Sequence, residues 1–186
     1  VWMDDTDFEI FKKRGLTAVT NPASNLKLAS GIAPISRYVA EGIPVAIGTD
    51  GPASTNCLDM FREMFLTTAL AKVKDMDAAA VPANEVLYMA TTAGARAMGL
   101  NDCDDLAVGK KADLILIDLM QPNMQPENNL MKNIVYSGSK QNVVLTMVNG
   151  RILYEDGGFA IGFDPKEIYA KANAIIGRMK EEVRTI

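Results

Sequence analysis

The stretch Ile43-Pro44-Val45-Ala46-Ile47-Gly48-Thr49-Asp50-Gly51 constrains this chain more than any other. It begins apolar and β-branched, the pattern of a strand buried on both faces. It ends in a carboxylate between glycines, so Asp50 falls where the strand gives way to a loop. In α/β folds the C-terminal ends of the strands are where ligands and catalytic groups gather. Gly48 and Gly51 let the backbone turn tightly and let another group come close to the carboxylate. The other reading makes Asp50 a cap for the helix that follows. Spacing alone leaves both open.

The flanking sequence alternates strand and helix. Asp4, Asp5, Thr6 and Asp7 are N-cap candidates for a helix that carries Phe8, Ile10 and Phe11 and closes at Gly15. Val1-Trp2-Met3 reads as the end of a strand, and residues 16–19 as a second one, stopped at Pro22. Residues 23–31 read as a polar, irregular loop. Ile32, Ile35, Val39 and Ala40 then recur at helical spacing up to Gly42. After Asp50, residues 51–56 predict a turn, and Asn56 with Asp59 a helix start. Leu58, Phe61, Phe65, Leu66, Ala69, Leu70 and Val73 mark the inner face of that helix. A further helix is expected over 83–98, stopped by Gly99. Such alternation with short connections predicts βαβ units and a parallel sheet.

The pattern changes near Asn101. Residues 112–118 form an apolar strand, and 121–129 a loop rich in Pro and Asn. Asn149-Gly150 between two alternating runs, 143–148 and 151–154, predicts a two-residue hairpin. A last amphipathic helix follows Asp164-Pro165, with Ile168, Ala172, Ile175, Ile176 and Met179 on one stripe. The chain thus divides into residues 1–100 and 101–186.

Composition excludes several function classes. A formal net charge of -4 gives no electrostatic case for a nucleic-acid or anionic-membrane partner. No apolar run is long enough to span a bilayer. The two cysteines, Cys57 and Cys103, argue against a disulfide framework and for a reducing, cytoplasmic compartment. The N-terminus has no signal-peptide layout, and Val1-Trp2-Met3 reads as the interior of something longer. Most telling, the chain has no histidine. Alone it can build neither a histidine-based catalytic triad nor a histidine-based metal site. Cys57 reads as a small buried hydrophobe, the methionines as core filler, and Lys110-Lys111 as a solvated turn.

Several strings resemble one family. They are Asn21-Pro22-Ala23-Ser24-Asn25-Leu26-Lys27-Leu28, then Gly48-Thr49-Asp50-Gly51, then Val108-Gly109-Lys110-Lys111-Ala112-Asp113-Leu114 with Val148-Asn149-Gly150. Together, in this order, they resemble the amidohydrolase superfamily, in its 5-methylthioadenosine/S-adenosylhomocysteine deaminase and chlorohydrolase branch. The resemblance implies the C-terminal part of a (β/α)₈ barrel in residues 1–100. It implies part of a small β-sandwich with a C-terminal helix in 101–186. The histidines and the neighbouring glutamate that the family places on earlier barrel strands have no counterpart here.

By that resemblance Asp50 ends strand 8, binds a divalent metal (zinc first) and handles the proton of the hydrolytic water. Thr20 stands where relatives often carry histidine, so a hydroxyl replaces a cationic group. Asn21, Ser24, Asn25 and Ser54 fall at barrel-top positions, either in contact with substrate or holding their loops together. Trp2 falls near the barrel mouth, as a packed aromatic or a pocket wall. The implied activity is deamination of an adenosine-type, purine-like small molecule. The alternatives are a non-catalytic piece that needs a partner chain, or the same chemistry on guanine, cytosine or a chlorotriazine. A homo-oligomer is a further option. This chain alone is expected to be inactive and to hold no metal tightly.

Overall fold

The computed structural model describes residues 1–184. Helix α1 (Asp5–Arg14) opens with Asp4 and Asp7 in a reciprocal capping box and closes at Gly15 in the left-handed conformation. Strand β1 (Ala18–Thr20) follows. The 23–31 loop of the sequence reading is in part a helix, α2 (Pro22–Lys27). Pro22 sits in its first turn, where a missing N–H costs nothing and the fixed φ favours helix. Helix α3 (Ile35–Ala40) leads into β2 (Val45–Ile47), buried at every position. β1 and β2 pair in parallel, with Ala18, Val19 and Thr20 opposite Val45, Ala46 and Ile47. Residues 1–3 are not a strand.

After β2 the expected turn is a one-turn helix, α4 (Pro52–Thr55). Helix α5 (Met60–Asp75) starts at Asp59, whose side chain accepts the Phe61 amide. Leu58 lies outside this helix and is exposed, and so are Phe65 and Val73, which the periodicity had placed inward. The predicted 83–98 helix is broken into α6 (Ala83–Ala90) and α7 (Thr92–Ala97). Thr91 causes the break. Its hydroxyl donates to the Leu87 carbonyl at 2.7 Å, and its backbone leaves the helical region (φ -121°, ψ -92°).

One core joins these pieces. Phe8, Tyr38, Ile43, Val45, Ile47, Phe61, Met64, Val86 and Met89 are buried together. It packs α1, α3, α5 and α6 against the small parallel sheet, as a non-directional apolar contact requires.

The second part carries β3 (Leu114–Ile117), the short helix α8 (Leu130–Lys132), β4 (Val143–Val148), β5 (Arg151–Glu155) and β6 (Gly158–Phe159). The strands form an antiparallel sheet in the order β3-β4-β5-β6. Val148 pairs with Arg151 across Asn149-Gly150, both at positive φ (49° and 76°), so the predicted two-residue hairpin is present. Helix α9 (Pro165–Arg184) ends the described chain, and its Ile168, Ile175, Ile176, Met179 and Val183 stay exposed. No helix among the described residues is long and apolar enough to cross a membrane.

Lys110 and Lys111 follow a turn, as expected, with Lys111 exposed, but both are paired. Lys110 and Arg96 both pair with Asp104, which is buried, and Lys111 pairs with Asp102 at 2.6 Å. This cluster ties the end of α7 to the loop before β3. Lys110 and Arg96 together hold the Asp104 carboxyl below the usual carboxylate range. Cys57 and Cys103 are free thiols of intermediate exposure.

Candidate functional site

Asp50 lies three residues beyond the end of β2, with its backbone in the left-handed region (φ 59°). That conformation is uncommon outside glycine, although Asp tolerates it better than most. It turns the carboxylate out of the strand direction and leaves it exposed. Oδ2 accepts the Ser24 hydroxyl at 2.6 Å, and Oδ1 accepts the Gly51 amide at 2.7 Å. These bonds, Ser24 first, with a further contribution from Ser54, hold the carboxyl below its ordinary range. Asp50 is therefore a poised anion. It is not the cap of α4, whose N-cap is Gly51 with no side-chain bond.

Ser24 reaches Asp50 because α2 follows directly from β1. Its side chain is buried and points across the crossover to the loop after β2. Ser54 donates to the Gly51 carbonyl at 3.0 Å and keeps the turn after Asp50 closed. Lys27 crosses from the end of α2 to the same loop, donating to the Ala53 carbonyl at 2.9 Å and to the Asn56 side chain. So Ser24, Asp50 and Ser54 form one cluster.

Thr20, Asn21 and Asn25 form a second group. With Ala18, Val19 and Ala33 they line a small cavity of about 90 Å³. Asn21 makes no cap bond to α2. Its Oδ1 lies instead so close to Gly48 that a Cβ there would come within 2.5 Å of it. Trp2 belongs to neither group. Its indole N–H donates to the Ser30 carbonyl at 2.8 Å, the ring lies beside Gly31, and the residue is 86% exposed, so it is not a packed aromatic.

Sequence reasoning missed Glu63. It sits in the first turn of α5 with no exposed surface. Its Oε2 accepts the Ala23 amide at 2.9 Å, and the Thr55 hydroxyl lies 3.5 Å from Oε1. Burial pushes its carboxyl up, partly offset by the Ala23 amide. The one available signal was a carboxylate on the same helical face as Met64, Thr67 and Ala71, all buried.

As a metal-binding set these residues offer one group. Asp50 is an ionised oxygen donor of the kind hard or borderline cations take. No cluster of three or more His, Cys, Asp or Glu side chains that could hold a metal occurs among the described residues. Asp50 thus fits a metal as a single ligand, and the remaining ligands would have to come from other polypeptide.

The family model described as "Amidohydrolase family" matches residues 1–153, so this chain belongs to the amidohydrolase family. Among its relatives is 5-methylthioadenosine/S-adenosylhomocysteine deaminase 1 of Syntrophus aciditrophicus, 41% identical over 99% of this chain and 42% of that protein. The 5'-deoxyadenosine deaminase of Methanobrevibacter smithii is 42% identical over 97% of this chain and 42% of that protein. The crystal structure of an adenosine deaminase from Xanthomonas campestris with bound zinc superposes with a TM-score of 0.89. It is 34% identical, over 99% of this chain and 41% of that one. The atrazine chlorohydrolase of Arthrobacter aurescens, complexed with zinc, gives a TM-score of 0.87 at 26% identity. The chain therefore spans about two fifths of the length of the relatives it matches.

Proposed function

We propose that this chain carries the strand 7 to strand 8 part of the barrel of a metal-dependent aminohydrolase, in residues 1–100. Residues 101–186 then contribute part of its β-sandwich. Its substrate is an adenosine-type molecule of the 5-methylthioadenosine/S-adenosylhomocysteine kind. The observation that carries the reading is Asp50: an exposed carboxylate, kept ionised by Ser24 and the Gly51 amide, at the C-terminal end of a buried parallel strand. A divalent cation such as zinc, when bound, acidifies water at this end of the barrel. Asp50 would serve as one oxygen ligand, and its carboxylate would be the group that takes the water's proton and returns it to the departing amine. Ser24 keeps one carboxylate oxygen occupied and fixes the rotamer. Thr20, Asn21 and Asn25, which line the recess beside β1, are the proposed substrate contacts, together with Ser54 of the Asp50 cluster and the exposed Trp2.

The names of the relatives support this substrate class, and the identity of over 40% across nearly the whole chain supports it over the triazine alternative. The lack of histidine supports a second element of the proposal. Residues 1–186 alone do not catalyse, and activity needs the polypeptide that supplies the other ligands. The test is Asp50→Asn in the full enzyme that contains this chain, measured by ammonia release from 5-methylthioadenosine, S-adenosylhomocysteine and 5'-deoxyadenosine. Turnover should vanish with the fold intact by circular dichroism. Near-normal deamination would end the assignment of Asp50. One tightly held zinc on residues 1–186 alone would end the claim that ligands are missing.

A further inference from the structure

The buried Glu63 has no part in the chemistry above, yet it sits between the two short helices that flank Asp50. Its carboxylate accepts the Ala23 amide in the first turn of α2 and lies within reach of the Thr55 hydroxyl at the end of α4. The α2 amide needs an outside partner, because first-turn amides have none within a helix. The usual donor of such help, Asn21, is turned toward Gly48 and makes no cap bond. Glu63 thus caps α2 from another helix. One residue beyond Ala23 is Ser24, the hydroxyl bonded to Asp50.

A buried carboxylate is a poor device for stability, since an apolar side chain of like volume usually does as well or better. It is a good device for direction, because a charge-assisted bond to a backbone amide is short and oriented. The charged groups that act on it are Arg62 and Asp59, both on or beside its own helix. The groups facing it from α2 and α4 are the neutral Ala23 amide and the Thr55 hydroxyl.

We propose that Glu63 is a positioning residue: it fixes the N-terminus of α2 against α4 and so aims the Ser24 hydroxyl at Asp50. The proposal rests on Asp50 being the metal ligand, and it extends that site by a further layer. In the full, zinc-loaded enzyme, Glu63→Met removes the acceptor at similar volume. Glu63→Asp keeps the charge and the fold but draws the carboxylate back from Ala23. Both should lower kcat about 10- to 100-fold with KM little changed, the range for supporting partners of metal ligands. Both should also speed the loss of zinc to a chelator. Glu63→Gln, which retains an oxygen acceptor, should restore both readouts. In a double-mutant cycle with Ser24→Ala the losses should not add, because both changes act through one bond.

Normal kcat and zinc retention in the Met and Asp variants would overturn the proposal. So would a Gln variant as impaired as Met, or losses that add to those of Ser24→Ala. Asp50→Asn separates the two readings. If that variant still turns over, the Asp50 assignment has failed. If it is dead while the Glu63 losses are additive with Ser24→Ala, only the positioning role has failed.

Discussion

Gly48→Ala tests how tightly the two halves of the crossover are fitted beside Asp50. The glycine does not need an unusual backbone there; what it provides is room. A Cβ at Gly48 would stand 2.5 Å from Asn21 Oδ1 and 3.6 Å from Val19 Cγ1. The second contact is ordinary, but the first requires Asn21 to move by roughly an ångström to reach a normal van der Waals separation. Asn21 has a short side chain, and its backbone has little freedom. It precedes Pro22, and the Gly48 amide donates to the Thr20 carbonyl at 2.9 Å, holding the two strands in register. Overpacking of this kind costs about 1–3 kcal/mol. Replacing glycine by alanine also restricts the unfolded chain, which returns about 0.4–1 kcal/mol. The clash wins over most of that span; the net loss is about 0–2.6 kcal/mol, or a Tm lowered by up to about 10 °C for a chain of this size. Thermal unfolding followed by circular dichroism measures it. Adding Asn21→Ala to Gly48→Ala removes the opposing oxygen and should recover most of the loss. A Gly48→Ala variant more stable than the parent, or no recovery in the double variant, would refute the argument.

Three further outcomes are expected. Phe8→Ala should destabilise by about 3–5 kcal/mol in urea titrations, since Phe8 is 1% exposed, tilts against Tyr38 at 5.1 Å and lies under Arg37; a change below about 1 kcal/mol would show that the core does not depend on this ring. Gly150→Ala should cost about 1–2 kcal/mol, because residue 150 sits at φ 76° in the hairpin turn, and unchanged urea stability would contradict it. Glu63 titrates above the ordinary Glu range in the fold, so there the folded state binds more protons than the unfolded state. Stability from this residue is therefore full at or below the ordinary range and falls as pH rises through the raised titration. The urea midpoint should fall as pH rises above the ordinary Glu range. Glu63→Gln should remove that part of the slope, and an identical pH profile for both proteins would count against a raised Glu63.

The parts of the fold that were legible in the sequence are those set by local rules. The strand before Asp50 announced itself as a β-branched run closed by glycine, and Asn149-Gly150 set the turn and the Val148–Arg151 pairing beside it, beyond which the register shifts between Thr146 and Met147. The run Asp4, Asp5, Thr6 and Asp7 contained the cap of α1, which is Asp4, and Gly15 marked its stop. The failures came where a distant residue decides. Residues 22–27, Pro-Ala-Ser-Asn-Leu-Lys, look like a loop because they carry no helical apolar period. They are helical because Pro22 starts the turn and Glu63, forty positions away, takes the Ala23 amide. The break at Thr91 is a side chain competing with its own backbone, which apolar periodicity does not register.

The site divides the same way. Asp50 stood out in the sequence as a carboxylate between glycines at a strand end, but spacing left open whether it capped the next helix; the structure gives that cap position to Gly51. Ser24 was visible only as one of several polar loop residues, and nothing in its spacing pointed to a bond with a residue 26 positions on. Glu63 was hidden by a sound rule: Glu in the first turn of a helix is normally a solvated partner of the helix dipole. Here the first turn of α5 faces the crossover and not water, so the same residue is buried and its carboxylate serves another helix. Periodicity alone also carried too far in α5. Leu58, Phe65 and Val73 fit an inner stripe, yet they are exposed, while Glu63, Thr67 and Thr68 are buried. Polar residues on the inner face of a helix that packs beside a strand end, each with a hydrogen-bond partner, are the pattern expected where packing serves a site as well as a core.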